Sequence, residues 1–417
     1  MIHINENKIT YFAETNFRNQ QRKFGIRHTD RRYHFYVLGK TGMGKTTLLE
    51  NLILSDVLNG NGIAVVDPHG DLIERLLDRM PSFRLNDIIY FNPADTGYPL
   101  AFNVLESGSS INHSVLVSGI LSVFKKLYQE FWGPRMEHVF RNTLMTVLQI
   151  PGSTLFTVIK LLTDMEFREH IVERLQDSVL QEFWQQEYNR FDKRQRTEVI
   201  SPILNKIGQF LTDPLIRNIV GQRKNNIPFR QVLDNNKILL VNLSKGNIGE
   251  DNSTLLGSLI LTKLHLAALS RSDIKEERRK DFYLYIDECH NFLTESVASM
   301  LAEMRKYRLN LILANQHLDQ LDEKIRSAIL GNVGTLVVFR VGAFDAEILK
   351  EEYFPKFNKV DFLKLPKYQI YLRLMINGVV SEGFSANTLP PQNRMCGNRD
   401  KIINMTRERY GKQIQKQ

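Results

Sequence analysis

Short apolar runs alternate along the chain with stretches whose apolar residues recur every third or fourth position. Residues 34–38, His-Phe-Tyr-Val-Leu, are aromatic and β-branched and predict a strand. Residues 47–54 carry leucine and isoleucine at helical spacing. The alternation then repeats. Strands are predicted at 62–66, 87–91, 237–243, 281–286, 309–316 and 334–340, and helices at 72–79 and 300–307. Strands that alternate with helices imply a mainly parallel sheet covered on both faces, the α/β class. Residues 368–376 and 379–384 flank Asn377-Gly378 and predict a closing hairpin at the sheet edge.

The pattern changes between 106 and 230. Helical periodicity dominates at 115–127, 136–148 and 199–211, with no clear strand, which reads as an inserted all-α domain. The expected organisation is a basic N-terminal arm at 1–33, a first α/β part at 34–105, the insertion at 106–230, a second α/β part at 231–390 and a basic tail at 391–417. The arm holds Arg18, Arg22, Lys23, Arg27, Arg31 and Arg32, either a nucleic-acid contact or a solvated run. Lys193-Arg194-Gln195-Arg196 is open to the same two readings. Trp132 and Trp184 are read as packing residues, and the tail as a frayed basic terminus.

Composition narrows the class. A chain of 417 residues suffices for two or three domains, and 42% apolar with 24% charged residues fits a globular protein. The net charge of +9 suggests a polyanionic partner. Two cysteines, Cys289 and Cys396, argue against a disulfide framework or a zinc cluster. The most apolar window, 255–269, is interrupted by Lys263 and His265 and reads as too short to span a bilayer. The N-terminus lacks a signal-peptide core. The expectation is a cytoplasmic chain with no integral membrane segment, peripheral to a membrane only through partners.

The candidate chemistry begins at Gly39-Lys40-Thr41-Gly42-Met43-Gly44-Lys45-Thr46-Thr47, which fits GxxxxGK[ST] between a strand and a helix. Glycines let successive N–H groups converge on phosphate oxygens, and the helix N-terminus adds positive charge. Thr41, Gly42, Met43, Gly44, Lys45, Thr46 and Thr47 are therefore the candidate nucleotide-binding residues. Lys45 is expected to reach the β- and γ-phosphates and Thr46 to ligate Mg²⁺. The strand ending at Asp287-Glu288 supplies the partner acids. Asp287 would hold the metal with Thr46, and Glu288 would polarise the attacking water. Gln316, closing the next strand, is placed to sense the γ-phosphate or hold water. Asp67, of Asp67-Pro68-His69-Gly70-Asp71, either orients a metal-bound water or caps the following helix. Lys245 ends another strand on the ligand side, where a plain strand-to-helix turn is the simpler reading. Asp287-Glu288-Cys289-His290 also mimics a helicase DExH box, but no second lobe with its motifs follows, so Cys289 and His290 are read as packing neighbours.

In this order, the loop, Asp-Pro-His-Gly-Asp, Asp287-Glu288, Arg305-Lys306-Tyr307 and Ala314-Asn315-Gln316 resemble the HerA–FtsK superfamily of ATPases. Within it the chain is most similar to the conjugative coupling proteins of type IV secretion, over roughly 30–390 including Phe131-Trp132-Gly133-Pro134-Arg135. The resemblance implies a RecA-like P-loop NTPase core, ATP and Mg²⁺ as ligands, and a homohexameric ring that moves DNA. It implies that a neighbouring subunit contributes an arginine finger, matched here by Arg305, with Arg340 the second candidate. Coupling proteins usually begin with transmembrane helices. None is read here, so a soluble relative, or one recruited by a membrane-bound secretion or DNA-processing partner, fits better. The alternative is a secretion-type ATPase that energises protein export or assembly, and a third reading is a nucleotide-gated scaffold with little turnover.

Overall fold

The computed structural model describes residues 8–17, 20–106, 112–392 and 394–413. The strands are β1 Ile9–Thr15, β2 Lys23–Arg27, β3 Phe35–Leu38, β4 Gly62–Asp67, β5 Ile88–Phe91, β6 Ile238–Asn242, β7 Phe282–Ile286, β8 Leu309–Asn315 and β9 Thr335–Val338. They continue with β10 Gln369–Arg373, β11 Met375–Ile376, β12 Val379–Val380 and β13 Phe384–Thr388. Eleven of the described strands form one sheet in the order β2-β1-β13-β10-β9-β3-β8-β7-β4-β6-β5. From β9 to β5 neighbours run parallel. β10, β13, β1 and β2 extend that sheet antiparallel.

Physical reasons for this order are visible in the residues. β3, β4, β6, β7 and β8 are buried on both faces, as parallel strands between helical layers must be. The helix Lys45–Leu58 buries Leu48, Leu49, Leu52, Ile53 and Val57, and Asp71–Arg79 buries Leu72, Ile73, Leu76 and Leu77.

The chain divides into two compact units. One comprises Met1–Phe91, Arg230–Ser244 and Arg271–Thr406, and it holds the sheet. The other comprises Asn92–Phe229, Lys245–Ser270 and Arg407–Gln417, and is helical. The helical unit thus takes more chain than the expected insertion, because the helix Glu250–Leu269 packs against His113–Leu127 within it. That helix is buried on nearly all sides, so no amphipathic period marked it. The apolar stretch is longer than expected. Glu250–Asp273 is long and apolar enough to cross a membrane by length and composition alone, and 89% of its window is buried. Trp184 is buried and donates from Nε1 to Thr146 Oγ1 at 2.9 Å, while Trp132 donates to Glu137 Oε2 at 2.7 Å. Lys193 and Arg194 are exposed at the start of the helix Lys193–Thr212.

The N-terminal segment corrects the sequence reading. It is no irregular arm: β1 and β2 extend the sheet, and Phe12, Ala13 and Ile26 join the core. Arg31 is buried, its guanidinium bidentate on Asp56 at 2.6 and 2.8 Å, with Tyr285 Oη accepting from Nη2 at 2.8 Å. Arg32 is bidentate on Asp281. Arg27 donates to Asn377 Oδ1. Arg18 lies outside the described residues. The closing hairpin is also corrected. β10 sits inside the sheet between β9 and β13, and Asn377-Gly378 turns the separate pair β11–β12. The tail is not frayed over its described length. In the helix Arg399–Tyr410, Ile402 joins the core and Thr406 Oγ1 accepts from Tyr90 N–H at 3.3 Å, which covers the edge strand β5.

Candidate functional site

The glycine loop hangs between the ends of two strands. β3 lies between β8 and β9, and Gly39 N–H donates to Asn315 O at 3.2 Å while Lys40 N–H donates to Arg340 O at 2.9 Å. Gly42 (φ 78°) and Gly44 (φ 121°) then take backbone angles that side chains rarely adopt. Nothing lies within 4 Å of where a Gly42 Cβ would sit, so the glycine there serves the turn and leaves the cradle open. Lys45, nearly buried, donates from Nζ to Gly39 O at 2.5 Å and to Lys40 O at 3.4 Å. Burial lowers its pKa, and the Glu288 and Asp287 carboxylates pull it back up.

The acids arrive from β7. Asp287 N–H donates to Val66 O on neighbouring β4, and Asp287 Oδ1 accepts from Glu288 N–H at 3.0 Å. Glu288 is left-handed (φ 44°, ψ 54°), a costly conformation for a side-chain-bearing residue of the kind found at functional sites. Burial, then the Asp67 and Glu288 charges, push the Asp287 pKa up to about 7, against Lys45 and the Glu288 N–H. Gln316 joins the halves: its Nε2 donates to Glu288 Oε1 at 2.7 Å, and its Oε1 accepts from Thr41 Oγ1 at 2.8 Å. Glu288 Oε2 is buried and accepts no hydrogen bond among the described residues, with His290 Nδ1 3.6 Å away.

These residues line one cleft of about 480 Å³, within the range of small-molecule sites. It brings together Thr41, Gly42, Gly44, Lys45, Thr46, Thr47, Asp287, Glu288 and Gln316. Met43 turns into the core instead and contributes its carbonyl to Tyr368 N–H. Asp67 caps the next helix, accepting from His69, Leu72 and Ile73 N–H, and still lines the cleft. Lys245 belongs to the helical unit and pairs with Glu250 at 2.6 Å. His290 Nδ1 lies 2.8 Å from Asn315 Oδ1 and Cys289 is buried.

The open cradle, the paired acids and the unmatched Glu288 oxygen fit a magnesium nucleotide. No cage of three His, Cys, Asp or Glu side chains exists among the described residues. Magnesium does not need one, since it keeps waters and uses one or two protein oxygens plus phosphates. Thr46 and Asp287 suit that role.

Arg305 and Arg340 lie outside the cleft lining. Arg340 follows β9 beside the loop. Arg305 precedes β8, at the amino ends of the parallel strands, with its guanidinium 3.8 Å from the Tyr33 ring centroid. β8 runs from Leu309 to Asn315. At ~3.3 Å per residue Arg305 is roughly 20 Å from its own cleft.

Three lining residues went unread in the sequence: Arg75, Lys367 and Tyr368. Arg75 sits one turn into the helix after Asp-Pro-His-Gly-Asp, so its position was available. Lys367 and Tyr368 reach the cleft because β10 runs antiparallel to β9 and starts where the parallel strands end. No local motif announces that.

A family model described as the type IV secretion-system coupling protein DNA-binding domain matches residues 23–351. The chain belongs to that family. Among solved structures it is similar to the bacterial conjugative coupling protein TrwBdeltaN70, unbound, at 17% identity and TM-score 0.63, covering 90% of this chain and 88% of that one. TrwB in complex with ADP and Mg²⁺ matches at 18% and 0.65, covering 89% of each. VirB4 of Thermoanaerobacter pseudethanolicus matches at 12% and 0.60, covering 94% and 98%. At these identities the likeness is one of fold. No curated protein matches the chain.

Proposed function

We propose that the chain is an ATP-driven DNA translocase that works as a ring, in which each cleft is completed by an arginine from a neighbouring subunit. The carrying observation is the link Thr41–Gln316–Glu288, which ties the phosphate loop to the acid pair in a chain of the coupling-protein family. TrwB structures with ADP and Mg²⁺ and with a non-hydrolysable ATP analogue support the same ligands here.

In this reading Lys45 leaves the loop carbonyls for the β- and γ-phosphates, and Thr46 and Asp287 would hold Mg²⁺, which would supply neutralising charge to the phosphates. Glu288 takes the proton of a water held by Gln316 as that water attacks the γ-phosphorus and the bond to ADP breaks. Arg305, distant from its own cleft, serves the cleft of a neighbouring subunit. The net charge of +9 supports a polyanionic track, which a ring follows through backbone phosphates. A cytoplasmic place beside a membrane-bound secretion partner is part of the same proposal.

The test is ATP hydrolysis with and without single- and double-stranded DNA, on a sample of known oligomeric state. DNA stimulation of the assembled form is expected. Hydrolysis by assembled protein that DNA leaves unchanged would favour the secretion-type ATPase, and no hydrolysis would favour a scaffold.

A further inference from the structure

Resting on the reading of the cleft as a nucleoside triphosphate site, we propose that Tyr368 is the platform on which the base stacks, so that the site takes purine nucleotides by ring face and not by base edge.

The cleft lining combines two kinds of chemistry. The loop, Lys45, Asp287 and Glu288 are suited to phosphate and metal. Lys367 and Tyr368 enter from a separate segment, and Tyr368 is the aromatic side chain of the lining. Its backbone is fixed on both sides. The N–H donates to Met43 O at 3.0 Å, inside the phosphate loop, and the carbonyl accepts from Thr388 N–H at 2.9 Å. Its φ is +67°, a strained angle for a tyrosine. Its ring lies against the loop, since a Cβ on Gly44 would come within 2.9 Å of Tyr368 Cδ1.

A ring held this firmly would ordinarily be core, yet Tyr368 is 45% exposed. Its contact with Gly44 covers part of the ring and leaves nearly half of the residue open. A half-open aromatic face fixed beside a phosphate cradle is what a base requires. Lys367 Nζ lies over the ring, 4.8 Å from its centroid, and is the group that a stacking base would displace. Stacking on such a face has no donor–acceptor code, because every base has a π surface. Adenine and guanine nucleotides should therefore bind alike, and pyrimidines, with one smaller ring, more weakly.

The experiment measures affinities for Mg-ADP, Mg-GDP and inorganic tripolyphosphate in the full chain and in two variants. Tyr368→Phe keeps the ring. Tyr368→Asn removes it with a residue that tolerates a positive φ. Tyr368→Asn should weaken ADP and GDP about tenfold or more, leave tripolyphosphate unchanged, and raise KM without lowering kcat. Tyr368→Phe should resemble the parent. Equal weakening of tripolyphosphate would overturn the proposal by making Tyr368 a support of the phosphate loop, and unchanged ADP affinity would overturn it outright. A parent chain that takes neither ADP nor tripolyphosphate would remove the nucleotide reading itself, and the platform with it.

Discussion

Asp287→Asn should make the nucleotide-free protein more stable above neutral pH while ending its turnover. The carboxylate is 8% exposed at the end of β7 and faces Asp67 and Glu288. Burial first, then those two charges, raise its pKa from 3.8 to about 7. Between these values the folded chain keeps a proton that the unfolded chain has lost. Stability therefore falls as pH rises through that window and levels off above it. The gap is about three pKa units, and each is worth about 1.4 kcal/mol, so the charged form costs up to ~4 kcal/mol at pH 8. Asparagine keeps the shape and removes the charge. In chelator and without nucleotide, its melting temperature should exceed the parent's by on the order of 10 °C at pH 8. The difference should shrink by more than half at pH 5, where the parent's Asp287 is already protonated when folded. A gain independent of pH, or a variant less stable at pH 8, would refute the reasoning. The trade belongs to function: a buried acid pair is poorly placed without its cation.

Glu288→Gln should bind ATP within a few-fold of the parent and lose about 10²–10⁴ in single-turnover hydrolysis, since Gln316 can still donate to the amide oxygen while no base remains. Arg305→Ala should assemble and bind ATP yet hydrolyse about 10³–10⁵ more slowly, and mixing it with Glu288→Gln subunits should restore activity; unchanged turnover in Arg305→Ala would end its role. Asp56→Asn leaves Arg31 buried without its carboxylate and should cost about 3–5 kcal/mol in denaturant unfolding, where a loss under 1 kcal/mol would mean the pair is dispensable.

The residues that were legible in the sequence share one property: their neighbours in space are their neighbours in the chain or lie at matching strand ends. The loop between β3 and its helix, the acids after β7 and Gln316 after β8 all follow from the rule that parallel strands deliver their carboxyl ends to one edge. What stayed hidden depended on distant partners. Arg31 looked like part of a wet basic run because Asp56, its partner, lies in the helix after the loop. β1 looked like part of a basic arm because its partner β13 lies more than 370 residues onward. Tyr368 was silent because an antiparallel strand, which no crossover helix announces, carries it to the cleft.

The same geometry explains why the two arginine candidates are not equivalent. A residue after a parallel strand reaches the cleft of its own chain, as Gln316 does after β8. A residue before that strand is carried to the opposite edge, and Arg305 is held there against Tyr33. Arg340 follows β9, where its carbonyl accepts from Lys40 N–H, so it starts from the edge of the sheet that carries the loop. In the proposed ring β8 therefore works at both ends: its carboxyl end steadies Glu288 through Gln316, and its amino end offers a cation to the next subunit. A shift of β8 along the sheet would change both contacts at once. Hydrolysis in one cleft would then be felt in its neighbour through a single seven-residue strand.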